Sequence, residues 1–148
     1  MNDTQGHRAG PLSPLTQKLF ALNRGLMSRL EAAAGAHGLS LAKLEVLQAL
    51  VAAGEPLPLG LLTERLGCAK SNVTQRVDRL ESDALVRRTP DARDRRSVLA
   101  RLTAEGGRRC MAATAAVAAA EAAFFERVPA EARQLLQVLA RMPADGLA

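Results

Sequence analysis

A chain of 148 residues has room for one domain with helical arms and a buried core of its own. Its formal charge of +5 favours a polyanionic partner. Two cysteines and two histidines at unrelated spacings give no zinc site or disulfide framework, and no Ser/His/Asp set or phosphate-cradling glycine loop points to catalysis, so neither an enzyme nor a cofactor is expected.

Residues 1–12 are polar and without periodicity, which predicts a disordered arm. They hold no continuous apolar core or cleavage-like site, so a cytoplasmic protein without a signal peptide is expected. Ser13-Pro14 can cap and start a helix in which Leu15, Leu19, Leu22, Leu26 and Leu30 form one stripe to about Ala36. Gly38 closes that helix. Ser40 then caps another, with Leu44, Leu47, Leu50 and Val51 on its buried side, ended by Gly54-Glu55-Pro56.

Two short helices follow, separated by Gly67. The first sets Leu61, Leu62 and Leu66 on one side. The second is predicted from about Ala69 to about Ser82, with Val73, Val77 and Leu80 at i, i+4 and i+7 on a single stripe. Turning 100° per residue puts Ser71, Gln75, Asp78 and Ser82 opposite that stripe, with Thr74 on one flank and Asn72 and Arg79 on the other. Hydroxyls, amides and guanidinium groups are what hydrogen-bond base edges and phosphates in a major groove. Ser71, Asn72, Thr74, Gln75 and Arg79 are therefore the groove-facing candidates, and Lys70 in the first turn is a phosphate contact. Arg76 lies nearer the buried side, where it can snorkel or pair with an acid.

Two β-prone runs come next, Leu85 to Thr89 and Ser97 to Leu102, flanking an arginine-loaded turn from Pro90 to Arg96. A hairpin with such a tip, directly after a helix-turn-helix, makes a winged helix, and a narrow minor groove attracts arginine. Between Arg65 and Arg101 lie ten Lys or Arg and five Asp or Glu, so the whole excess of positive charge sits on this reading head. Thr103 caps a long helix to about Arg127, in which Gly106-Gly107 is weak helix material. Its alanine run around Met111 to Phe125 is too short and too weakly apolar to span a membrane. Pro129 starts a last helix with Leu135, Leu136, Val138, Leu139 and Met142.

The stretch from Leu59 to Thr103 resembles the MarR family of bacterial winged helix-turn-helix regulators. The matching residues are Leu59-x-x-Leu62 with Leu66-Gly67, Ser71-Asn72-Val73-Thr74, Val77-Asp78-Arg79-Leu80-Glu81, Leu85-Val86-Arg87-Arg88, Asp91-x-x-Asp94-Arg95-Arg96-Ser97 and Leu102-Thr103-x-x-Gly106. Upstream, His37-Gly38-Leu39-Ser40 and Glu45-Val46-Leu47 fit as well, and the likeness runs from roughly Leu15 to Met142.

The resemblance implies a mainly α fold with a small β-hairpin wing. The expected division is a dimerisation helix over 13–36, the winged helix-turn-helix over 37–102 and dimerisation helices over 103–148. It also implies a homodimeric regulator of transcription, more often a repressor, on a pseudo-palindromic operator in double-stranded DNA. Arg96 would enter the minor groove, with Arg93 and Arg95 as further candidates, while Asp94 would hold the wing. A pocket for a small phenolic or other aromatic effector would lie between the dimer helices and the winged helix, on segments carrying Phe20, Arg24, His37 and Leu44. For His37 an ordinary helix-end histidine is the alternative.

Cys68, just before a helix N-terminus and near Lys70, is the candidate redox thiol, with an inert thiol as the alternative for it and for Cys110. Ala84 departs from the family, which usually has glycine where the chain leaves the recognition helix. The rival to a specific regulator is a winged helix kept as a protein-interaction module.

Overall fold

The computed structural model describes residues 12–92, 94 and 97–141, with Leu139 described by its backbone alone. In chain order the elements are α1 (Pro14–Gly35), α2 (Leu41–Ala53), β1 (Leu57–Pro58), α3 (Leu59–Leu66), α4 (Lys70–Ser82), β2 (Val86–Pro90), β3 (Val98–Leu102), α5 (Ala104–Glu126) and α6 (Ala130–Ala140). The fold is a winged helix between long terminal helices. No helix among the described residues is long and apolar enough to cross a membrane.

The starts of α1, α2 and α5 follow from hydroxyls placed one residue before them. Ser13, Ser40 and Thr103 each accept a backbone N–H three residues on, from Thr16, Lys43 and Gly106. Each bond satisfies a donor that the helix geometry leaves unpaired. Gly54 and Gly67 end α2 and α3 in the left-handed region, at φ +68° and +58°. The strands form an antiparallel sheet in the order β1-β3-β2, with Val86 opposite Leu102, Pro90 opposite Val98 and Leu57 opposite Ala100.

One core lies under this sheet and between the short helices. Val73, Val77 and Leu80 of α4, Leu62 of α3, Leu44 and Leu47 of α2, and Leu85 and Val86 beside the wing are all buried in it. Fully burying each such side chain contributes on the order of 1.5–3 kcal/mol. The buried stripe on α4 is the one its i, i+4, i+7 spacing predicts.

Elsewhere the pattern misleads. Val51 is exposed and Val46 is fully buried instead, because α2 is apolar nearly all round and spacing alone does not choose its inner face. Leu61 also faces outward, while Leu62, with Leu59 and Leu66 at its sides, meets the core. The strand β1 has no counterpart in the sequence reading, since two residues carry no period.

Both wing strands begin one residue later than expected, β3 because Ser97 belongs to the turn between the strands and β2 because Leu85 is spent on the turn after α4. Its N–H donates to Leu80 O at 2.9 Å and the Ala84 N–H to Glu81 O at 2.9 Å, the paired bonds of a Schellman ending. That ending places Ala84 at φ +58°.

The same turn seats α5. The carbonyl of Leu85 accepts from the Thr103 N–H at 3.1 Å and from its hydroxyl at 3.0 Å. A Cβ on Gly106 would run into that carbonyl oxygen, so only glycine admits this approach. The glycine that weakens the helix in sequence terms is therefore what lets it dock. Farther along, α1 packs along α5, with Gly25 against Phe124 and the Arg29 guanidinium 5.7 Å from the centre of the Phe124 ring.

Candidate nucleic-acid interface

With Val73, Val77 and Leu80 fixed in the core, the helix α4 turns its remaining side chains outward. Ser71, Asn72, Gln75 and Arg79 are exposed and Thr74 is half-buried on the flank. The Thr74 hydroxyl donates to Lys70 O at 3.0 Å, so its oxygen can still accept a hydrogen bond. Lys70 is exposed at the first turn. The structure thus gathers all six onto the outside of one helix.

Asp78, expected on the open face, is drawn aside. Arg88 of β2 pairs with Asp78 at 2.5 Å and with Glu81 at 2.7 Å. Glu81 also accepts the backbone N–H of Arg88 at 2.8 Å. That N–H, and then the guanidinium, holds the Glu81 carboxyl below the usual carboxylate range, while Glu81 raises the Arg88 pKa. This clasp fixes the wing strand to α4. Sequence reasoning missed it, because Arg88 meets Asp78 and Glu81 only after the chain has turned back from α4 into β2.

Two further ion pairs border the outer face on the side of α2. Lys43 Nζ lies 2.7 Å from Asp83, and Arg76 lies 3.1 Å from Glu45, so Arg76 pairs with an acid as one of its two sequence readings has it. Ser40, Ala42 and Lys43 of α2 face Asn72, Gln75, Arg76 and Arg79 of α4 across a cleft of about 240 Å³.

At the wing, the Ser97 N–H donates to Asp94 O at 2.9 Å and the Asp91 N–H to Ser97 O at 3.1 Å, which closes the turn between β2 and β3. Asp94 therefore joins the turn through its backbone carbonyl. Arg93, Arg95 and Arg96 lie outside the described residues, as do residues 1–11 of the expected arm and Met142 of the last helix.

The four effector-pocket candidates are spread. Leu44 is buried in the core, His37 is half-buried in the turn after α1, and Phe20 and Arg24 are exposed on α1. Among the described residues, one cavity between α5 and α6 has another lining, Phe125, Arg133 and Leu136. Another, between α2 and α5, is lined by Val51, Met111 and Thr114. The Cys68 thiol, half-buried, donates to Leu66 O at 3.2 Å. Cys110 is buried, and burial pushes its pKa up against a smaller opposing effect of the Thr114 hydroxyl. Among the described residues no group of three or more His, Cys, Asp or Glu is placed to hold a metal ion.

Comparison with known proteins returns the same winged-helix fold. The sequence model of the MarR family matches residues 37–97. The YusO protein from Bacillus subtilis is 28% identical with a TM-score of 0.71, over 87% of this chain and 94% of that one. A mutant MarR from E. coli, complexed with operator DNA, is 23% identical with a TM-score of 0.72, over 86% of this chain and 91% of that one. CouR from Rhodococcus jostii RHA1, bound to p-coumaroyl-CoA, is 24% identical with a TM-score of 0.67, over 86% and 88%. No curated protein sequence matches the chain.

Proposed function

From the MarR-family match of residues 37–97, we propose that this chain is a sequence-specific DNA-binding regulator of transcription, acting as a homodimeric repressor on a pseudo-palindromic operator. The observation that carries the reading is the outer face of α4. Its core stripe pins the helix while Ser71, Asn72, Thr74, Gln75 and Arg79 are left to meet base edges. Lys70 adds a phosphate contact, and the sequence between β2 and β3 supplies Arg93, Arg95 and Arg96 as charge for a minor groove, in a turn that the Asp94 carbonyl helps close. Two such heads would enter successive major grooves about 10 bp apart.

The homodimer is supported by apolar side chains that one chain leaves uncovered. Leu15 of α1 is 71% exposed and Leu135 of α6 is 60% exposed, with Leu19, Leu22 and Val138 also open to solvent. A second copy would bury them. Regulation would come from a small aromatic effector held between the dimer helices and the winged helix, on the segments of Phe20, Arg24, His37 and Leu44. The p-coumaroyl-CoA complex of CouR lends that reading its chemistry.

The test is binding of the purified protein to the intergenic DNA upstream of its own gene. A scrambled duplex and Arg96→Ala run in parallel across a salt series. The expected result is saturable binding that prefers the native duplex and weakens with the substitution. Equal and steeply salt-dependent binding to both duplexes would leave only a charged patch and favour the interaction-module reading.

A further inference from the structure

The cleft between α2 and α4 gathers three cations, Lys43, Arg76 and Arg79, beside two of the candidate base-reading amides, Asn72 and Gln75. Residues 72, 75, 76 and 79 follow one another at helical spacing, so the cleft runs along the recognition helix on its α2 side. Lys43 sits in the first turn of α2, at the positive end of the helix dipole, where a cation is disfavoured. Its partner Asp83 and the partner of Arg76, Glu45, are the more open members of their pairs: the side chains are 40% and 56% exposed, against 21% for Lys43 and 23% for Arg76. The cations line the cleft while the acids lie toward water. Such solvent-facing pairs hold their members weakly, whereas a phosphate oxygen accepts a strong charge-assisted bond.

We infer that Lys43 and Arg76 form a phosphate clamp beside the recognition helix, in which oxygens of the DNA backbone displace Asp83 and Glu45. The inference rests on the DNA-binding reading and adds to it a contact from α2, which precedes α3, α4 and the wing strands. The clamp fixes the register of α4 in the groove and carries no sequence preference, since every nucleotide presents the same phosphate.

The experiment uses the full-length protein and two duplexes, one selected by it from a random-sequence library and one scrambled. Dissociation constants are measured from low to moderate salt for the wild type, Lys43→Met, Arg76→Met, Glu45→Gln and Arg108→Met. The last removes a cation of α5 that pairs with Glu105, away from the cleft. Each of Lys43→Met and Arg76→Met is expected to flatten the log K against log salt slope by about 0.9, the loss of one neutralised phosphate. Both should weaken the two duplexes by the same factor. Glu45→Gln should tighten both, because Arg76 is then free of its acid, and this gain cannot come from misfolding. Slopes equal to that of Arg108→Met, in a wild type that binds, would overturn the clamp alone. A wild type whose binding shows no salt dependence would overturn the clamp and the DNA-binding reading together.

Discussion

Ala84 and Gly106 stand on opposite sides of one turn and show two ways in which a single residue type matters. Ala84 holds φ +58°, where its Cβ crowds the following carbonyl. The side chain is exposed and gains no packing that would offset the strain. Ala84→Gly is expected to raise stability by about 1 kcal/mol, seen as a melting temperature higher by about 2–4 °C. An unchanged or lower value would show that the turn is not strained. At Gly106 the requirement is space. Gly106→Ala would push a methyl into the Leu85 carbonyl, and a loss of about 1–3 kcal/mol in chemical denaturation is expected. A variant as stable as the parent would mean that α5 can shift without cost. The sequence makes the departure at Ala84 visible through family resemblance. It hides the reason for Gly106, because the contact joins residues 21 apart that no local period relates.

At the scale of elements, the clasp between α4 and β2 is the feature with a measurable pH signature. The folded Glu81 carboxyl titrates below the ordinary carboxylate range, chiefly through the Arg88 N–H and then its guanidinium. Its contribution is therefore present above the ordinary carboxylate pKa and lost as pH falls through the lower, folded value. Thermal melts of the wild type from neutral to acidic pH should show this loss, and Glu81→Gln should be less stable at neutral pH with a shallower acid limb. Parallel limbs in the two proteins would remove Glu81 from the account. Much of this region was legible: the caps at Ser13, Ser40 and Thr103, the stripe of α4 and the outer face opposite it all follow from spacing and side-chain type. The ion pairs were not, since Arg88 with Asp78 and Glu81, or Lys43 with Asp83, meet only once the chain has turned back on itself. The inner face of α2 escaped for another reason: with apolar residues on every side, its orientation is decided by neighbours that a local pattern does not contain.

For the whole molecule the open question of physics is what covers α1 and α6. A chain that leaves Leu15, Leu19, Leu22, Leu135 and Val138 in water carries apolar surface that association would bury. If the second copy covers it, the melting temperature should rise with protein concentration, and Leu19→Glu should sediment as a monomer with weakened DNA binding. A concentration-independent melt, with Leu19→Glu sedimenting as the parent does, would place the partner surface elsewhere.

The seat of α5 on the Leu85 carbonyl has a mechanical consequence. At that joint the Gly106 backbone meets the Leu85 carbonyl directly, and the Thr103 hydroxyl bonds the carbonyls of the same turn. The helix above it, 23 residues from Ala104 to Glu126, is then a lever with its short end at the turn that terminates the recognition helix. At 1.5 Å per residue its arm is about 34 Å, so a tilt of about 5° sweeps the far end through about 3 Å. A tilt that this joint does not absorb reaches α4 and the wing as a rotation.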